Sequence, residues 1–181
     1  TLIGLRWFAV FGQTIALVVA TQLFSLQIEV GLASMTIGAS VIVNLIVHFI
    51  YPQNKRLVER EAFAMLVFDI AQLGLLLYLT GGLNNPFAIL MLAPVTIAAT
   101  VLHLSSTVFL GGIAIALTSL LSQFSFPIES KTGALLILPE LFQFGFWLAI
   151  VIGIVFLAIY ARQVTNEMHN MSEALVATQL A

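Results

Sequence analysis

Residues Gly81-Gly82-Leu83-Asn84-Asn85-Pro86-Phe87 set two glycines, two asparagines and a proline between two long apolar runs. Glycine admits positive φ and lets another backbone or a flat ligand approach closely. Pro86 biases Asn85 toward an extended conformation and is well placed to begin a helix. Asn85 can then cap that helix. The asparagine amides and the first backbone amides of the helix are hydrogen-bond donors. Phe87 adds a ring for stacking and Leu83 an apolar wall. Such a set suits a flat lipophilic molecule with carbonyl acceptors, of which a quinone head group is one. It equally suits a tight, capped turn with no ligand, and the residues alone leave both readings open.

A second set lies upstream. Asp69, Gln72 and Thr80 are spaced by three and eleven residues, which returns them to one face of a helix leading toward Gly81. An acid inside a membrane span is a functional hypothesis by default. A helix rises about 1.5 Å per residue, so Asp69 would sit about 18 Å below Gly81. It is therefore expected to bond within the bundle, to Asn44 or His48, more readily than to a head group at the turn. Neither His48 nor His103 has neighbouring residues suited to a metal site, and His169 reads as a solvated helix residue. No catalytic residue and no metal ligand is assigned.

These residues need elements to hold them, and composition says which. Hydrophobic residues make up 61% of 181 and charged residues 8%, with a mean hydropathy of +1.11. Soluble domains carry roughly 25% charged residues, so this is an integral membrane chain, and nothing in it points to nucleic acid. It has no cysteine, which excludes disulfides and thiol chemistry. A span needs about 20 apolar residues. Six are expected, at residues 2–24, 34–51, 62–80, 87–104, 107–126 and 141–160. Pro94 should kink the fourth if it is continuous. Gly111, Gly112 and Ala116 in the fifth, and Gly145 and Gly153 in the sixth, read as close-packing surfaces.

The fold class is thus an all-α six-span bundle in the lipid bilayer over residues 1–160. Arg6, Lys55, Arg56, Arg60 and Arg162 fall on one side and Lys131 on the other, which makes both termini cytoplasmic. The heptapeptide then lies at the outer face, between loops too short to form a folded sensor. Residues 161–181 change character. Val164, Met168, Met171, Leu175 and Thr178 recur at alternating spacings of four and three, a seam that favours helix pairing in a parallel dimer over an amphipathic helix lying on the inner leaflet. The chain, which begins at Thr1 and stops in a helix, reads as a piece of something longer.

With "TGGLNNPF" followed by "LAPVTIAATVL", six spans and a terminal "ARQVTNEMHNMSEALVATQLA", the chain resembles the membrane sensor portion of the RegB/PrrB/ActS redox-responsive histidine kinases of proteobacteria. Gly81, Gly82, Asn85, Pro86 and Phe87 match the fixed positions of the family's G-G-x-x-N-P-F motif; Leu83 and Asn84 occupy its variable ones. The resemblance implies ubiquinone binding around those five residues, with Leu83, Asn84 and Asp69 as possible supports. Asp69 comes from the span analysis and not from the motif. It further implies an inner-membrane homodimer in which oxidised quinone lowers kinase output to a response regulator. Kinase activity, the phosphoacceptor histidine and the ATP site would belong to a region beyond Ala181. Two other readings are a small membrane enzyme or carrier using Asp69, and a structural anchor that dimerises a cytoplasmic partner.

Overall fold

The computed structural model describes residues 2–50 and 58–179, almost all of them helical. Tyr51, Lys55, Arg56 and Ala181 lie outside the described residues, as do the side chains of Leu175 and Thr178. Five helices are long and apolar enough to cross a membrane. These are α1 (Leu2–Val18, extended by a π-helical turn Val19–Leu23), α2 (Val30–Ile50), α3 (Glu59–Leu79), α5 (Leu104–Gln123) and α6 (Glu140–Gln179). The second span, expected at residues 34–51, starts four residues earlier and reaches 21 residues.

The fourth span is built differently from expectation. Instead of one helix over residues 87–104, a 3-10 segment Pro86–Met91 leads into α4 (Leu92–Val101). Pro94 explains the arrangement. An α-helix entering from the turn would need its N–H to bond the carbonyl of Leu90, and proline has none. The chain takes the tighter 3-10 form up to Met91, so the break is a change of helix type and not a mid-helix kink. The change also has a length benefit. At about 2.0 Å per 3-10 residue and 1.5 Å per α residue, Pro86–Val101 extends about 27 Å, close to the hydrocarbon thickness of about 30 Å.

Helices α3, α4, α5 and α6 enclose the main core, which includes Leu66, Ile70 and Leu77 of α3, Val95 of α4, Leu110 of α5, and Ile150 and Ile154 of α6. A smaller cluster of Val10, Ala33, Ile37 and Leu76 joins α1, α2 and α3. Phe8, Phe49, Phe109, Leu141 and Phe156 point outward and are strongly exposed, as lipid-facing side chains are. Some of the small residues pack as expected: a Cβ on Gly111 would touch Val95 and Ile154, and one on Gly153 would press on Leu92 of α4. Gly112 and Gly145 have nothing within 4 Å, so they are not packing positions within this chain.

One end of the bundle carries the heptapeptide. There the connection after α1 forms β1 (Leu26–Gln27), which pairs antiparallel with β2 (Glu129–Ser130) from the connection before α6. At the far end the two-residue α4–α5 turn is held from both sides. Arg162 Nη1 of α6 donates to the carbonyl of Leu102 at 2.9 Å. Glu59 of α3 accepts from the backbone N–H of His103 at 3.0 Å and from Ser106 Oγ at 3.1 Å, and its other oxygen contacts His103 Nδ1. His103 thus has an acidic partner that its sequence neighbours do not reveal.

Candidate functional site

The heptapeptide folds into two consecutive 3-10 turns, Gly82–Asn84 and the start of Pro86–Met91. Gly81 and Gly82 both have positive φ, at 99° and 58°. Their lack of a side chain also answers a space requirement. A Cβ on Gly82 would lie 2.5 Å from the carbonyl oxygen of Leu121, and one on Gly81 would lie 2.3 Å from Ile128. The turn is therefore pressed against the end of α5 and the connection that follows it. Leu83 is fully buried in the main core, so it anchors the turn and offers no wall to the outside.

Asn85 has φ −89° and ψ 119°, extended as Pro86 requires, and caps the next segment by accepting from Phe87 N at 2.9 Å. Its amide nitrogen donates to Thr80 O at 3.1 Å and to Thr80 Oγ1 at 2.8 Å. Both amide hydrogens are thus engaged within the turn, and the helix start is capped instead of offering free donors. Asn84 Oδ1 accepts from Leu138 N at 2.9 Å, tying the turn to the approach of α6. On the outer surface the turn presents Pro86 and Phe87, the latter 46% exposed. Beside it, Gln27, Glu29, Leu79, Phe126 and Glu129 line an open cleft of about 320 Å³.

These bonds give a graded expectation. Asn85→Ala removes a cap worth about 1 kcal/mol and leaves the Thr80 carbonyl without its donor, for a loss of about 2 kcal/mol. Asn85→Asp keeps the cap but sets an anion against that carbonyl, so it should be at least as destabilising. Thermal unfolding in lipid nanodiscs reads both; a neutral Asn85→Asp would refute this account of the bonds.

Asp69 is not brought to the heptapeptide. It sits midway along α3, and neither Asn44 nor His48 is its hydrogen-bond partner; His48 is exposed. Its partner is Arg6 of α1, whose Nε donates to Oδ1 at 3.0 Å while Nη2 lies 3.0 Å from the same oxygen. The guanidinium also lies 5.6 Å from the centre of the Phe68 ring. Arg6, counted among the charges of the cytoplasmic side, is therefore a buried member of α1. Seven residues further along α1, Gln13 exchanges reciprocal hydrogen bonds with Gln72, at 3.3 and 3.0 Å. Thr80 leaves this stripe to serve Asn85. The matching polar positions on α1 were the available signal, and they become readable only once α1 and α3 are known to face each other.

The helices, their apolar exteriors and the shared core define a multi-pass, all-α membrane domain. Residues 5–137 match the family model described as "PilS-like transmembrane domain". The chain belongs to that family. Over all 181 residues it is 52% identical to a sensor histidine kinase RegB of Cereibacter sphaeroides, and 53% identical to a second RegB sequence of that species. The expected resemblance to the membrane sensor portion of the RegB family is borne out. The chain spans 39% of the length of these relatives. No solved structure matches it.

Proposed function

We propose that this domain is the transmembrane input unit of a sensor histidine kinase that reads the redox state of the ubiquinone pool. The observation that carries the reading is identity above one half, along the whole chain, to proteins named as sensor histidine kinases. The quinone assignment rests on the GGLNNPF motif and on what its geometry leaves accessible. Phe87 is half exposed toward lipid, and the Asn84 amide nitrogen makes no hydrogen bond among the described residues. A quinone ring would stack on Phe87 with a carbonyl directed at Asn84. Gly81, Gly82, Asn85 and Pro86 would act by holding that surface in place.

In this reading the heptapeptide lies at the outer face of a bacterial inner membrane and both termini are cytoplasmic. The C-terminal part of α6 pairs with a second copy, and a kinase region with its ATP site passes phosphate to a response regulator. Docking would bias α4, which packs on α6 through Leu92 and Gly153. A ligand shifts such an equilibrium only by its difference in affinity between states, typically about 1–3 kcal/mol.

Titrating decylubiquinone into the domain in nanodiscs tests the site. Phe87→Ala removes a stacking partner worth about 0.5–1.5 kcal/mol, so affinity should fall roughly 2- to 10-fold. Asn85→Ala should weaken binding by loosening the turn. Unchanged affinity in both variants would sink the assignment.

A further inference from the structure

Two polar side chains inside the helical bundle have polar atoms with no hydrogen-bond partner among the described residues. Arg6 is 5% exposed; its Nη2 lies against Asp69 Oδ1 as an ion pair, and its Nη1 finds no acceptor. Asn44 is 0% exposed, and both its Nδ2 and its Oδ1 are unmet. In hydrocarbon there is no solvent to satisfy such groups, so they are strongly disfavoured unless something polar sits between them.

Register puts the two within about one turn of each other along the bundle. Val10, Ala33, Ile37 and Leu76 pack together where α1, α2 and α3 meet. From that layer, moving away from the heptapeptide end, Arg6 lies one turn along α1 from Val10. Asn44 lies two turns along α2 from Ile37, and Asp69 two turns along α3 from Leu76. Helix α2 packs on both α1 and α3, and Asn44 is fully covered within it. Arg6 reaches across from α1 to Asp69 of α3.

We propose that the α1–α2–α3 seam is an intramembrane binding site for a neutral oxygen group, held between Arg6 and Asn44 beside Asp69. The charges specify neutrality, because Arg6 and Asp69 already balance each other. The unmet atoms specify the hydrogen bonding. Arg6 Nη1 and Asn44 Nδ2 donate to an oxygen, while Asn44 Oδ1 needs a hydrogen in return. A hydroxyl does both. Its two sources are a buried water, which typically makes 2–4 such bonds, and the hydroxyl head group of a molecule dissolved in the bilayer. The site lies deep below the heptapeptide and does not depend on the quinone reading.

The test uses the full chain in phosphatidylcholine bilayers, with and without decylubiquinol as the lipid-borne probe. Water-edited solid-state NMR of the labelled Arg6 guanidinium is the first readout. Rapid transfer from water in lipid-only bilayers assigns a water. No transfer, with Arg6 shifts moving on addition of the probe, assigns a lipid-borne hydroxyl. Thermal unfolding of Asn44→Leu is the second. A group bonded to Asn44 makes that near-isosteric change lower the unfolding midpoint, whereas in an empty seam it removes an unmet amide and raises it. A raised midpoint, or the absence of both NMR signals, overturns the proposal. If Asn44→Leu does not fold, the wild-type NMR measurement decides alone.

Discussion

Arg6→Met is expected to destabilise the domain by about 3–5 kcal/mol, because it leaves the Asp69 carboxylate inside the bundle without its counter-charge. Asp69→Leu should cost a similar amount for the mirror reason, since it strands the guanidinium. The double replacement Arg6→Met/Asp69→Leu removes both desolvation penalties together and fills the space with apolar atoms, so it should recover most of the loss. Such pairs are often neutral once both charges are gone. Unfolding of the three variants in nanodiscs, assembled as a double-mutant cycle, measures the coupling. Additive losses would mean that the two residues do not act as a pair.

The second large effect is at Gly82. A valine there adopts φ near +58°, a left-handed conformation that costs an ordinary residue about 1–2 kcal/mol and a β-branched one more. Its Cβ would also meet the Leu121 carbonyl oxygen at 2.5 Å, and a helix backbone atom cannot swing aside as a side chain can. Adding an overpacking cost of about 1–3 kcal/mol gives a loss of roughly 3–5 kcal/mol for Gly82→Val. Gly81→Ala should cost less, since the nearest atom it meets is the flexible end of Ile128. Gly112→Ala, in open space on α5, should be neutral or gain up to about 1 kcal/mol. Unfolding midpoints that failed to follow this order would show that the turn is not seated as described.

The spans were legible because hydrocarbon demands long apolar runs, and α3, α5 and α6 announce themselves by composition alone. The cap was legible too, since Asn before Pro predicts an extended residue followed by a helix start, as found at Asn85. Thr80 as the second partner of Asn85 was not, because that bond exists only after the Gly81–Gly82 reversal brings the chain back on itself. Leu83 was misread as a wall for the same reason: the tight 3-10 turn rotates it into the core. The Arg6–Asp69 pair was half visible. Asp69 stands out in an apolar run, whereas an arginine six residues into the chain looks like an interfacial charge. Only the packing of α1 across α2 toward α3, which no single-helix pattern encodes, makes it a partner.

Helix α6 spans 40 residues, about 60 Å. Leu138, two residues ahead of it, is bonded to Asn84, and Arg162 within it is bonded to Leu102, so both ends of the fourth span are tied to it. This fastening sets a compass bearing as well as a position. Each helical residue turns about 100° about the axis, so Arg162 fixes the direction in which Val164, Met168 and Met171 face. A small swivel of the fourth span would be delivered past Arg162 as a change of heading, undiminished by distance while the helix stays unbroken. One extra residue after Arg162 would re-aim that seam by about 100°, while seven would return it to within about 20°. The heptapeptide turn and the far-end clasp thus act as the two bearings of a single shaft.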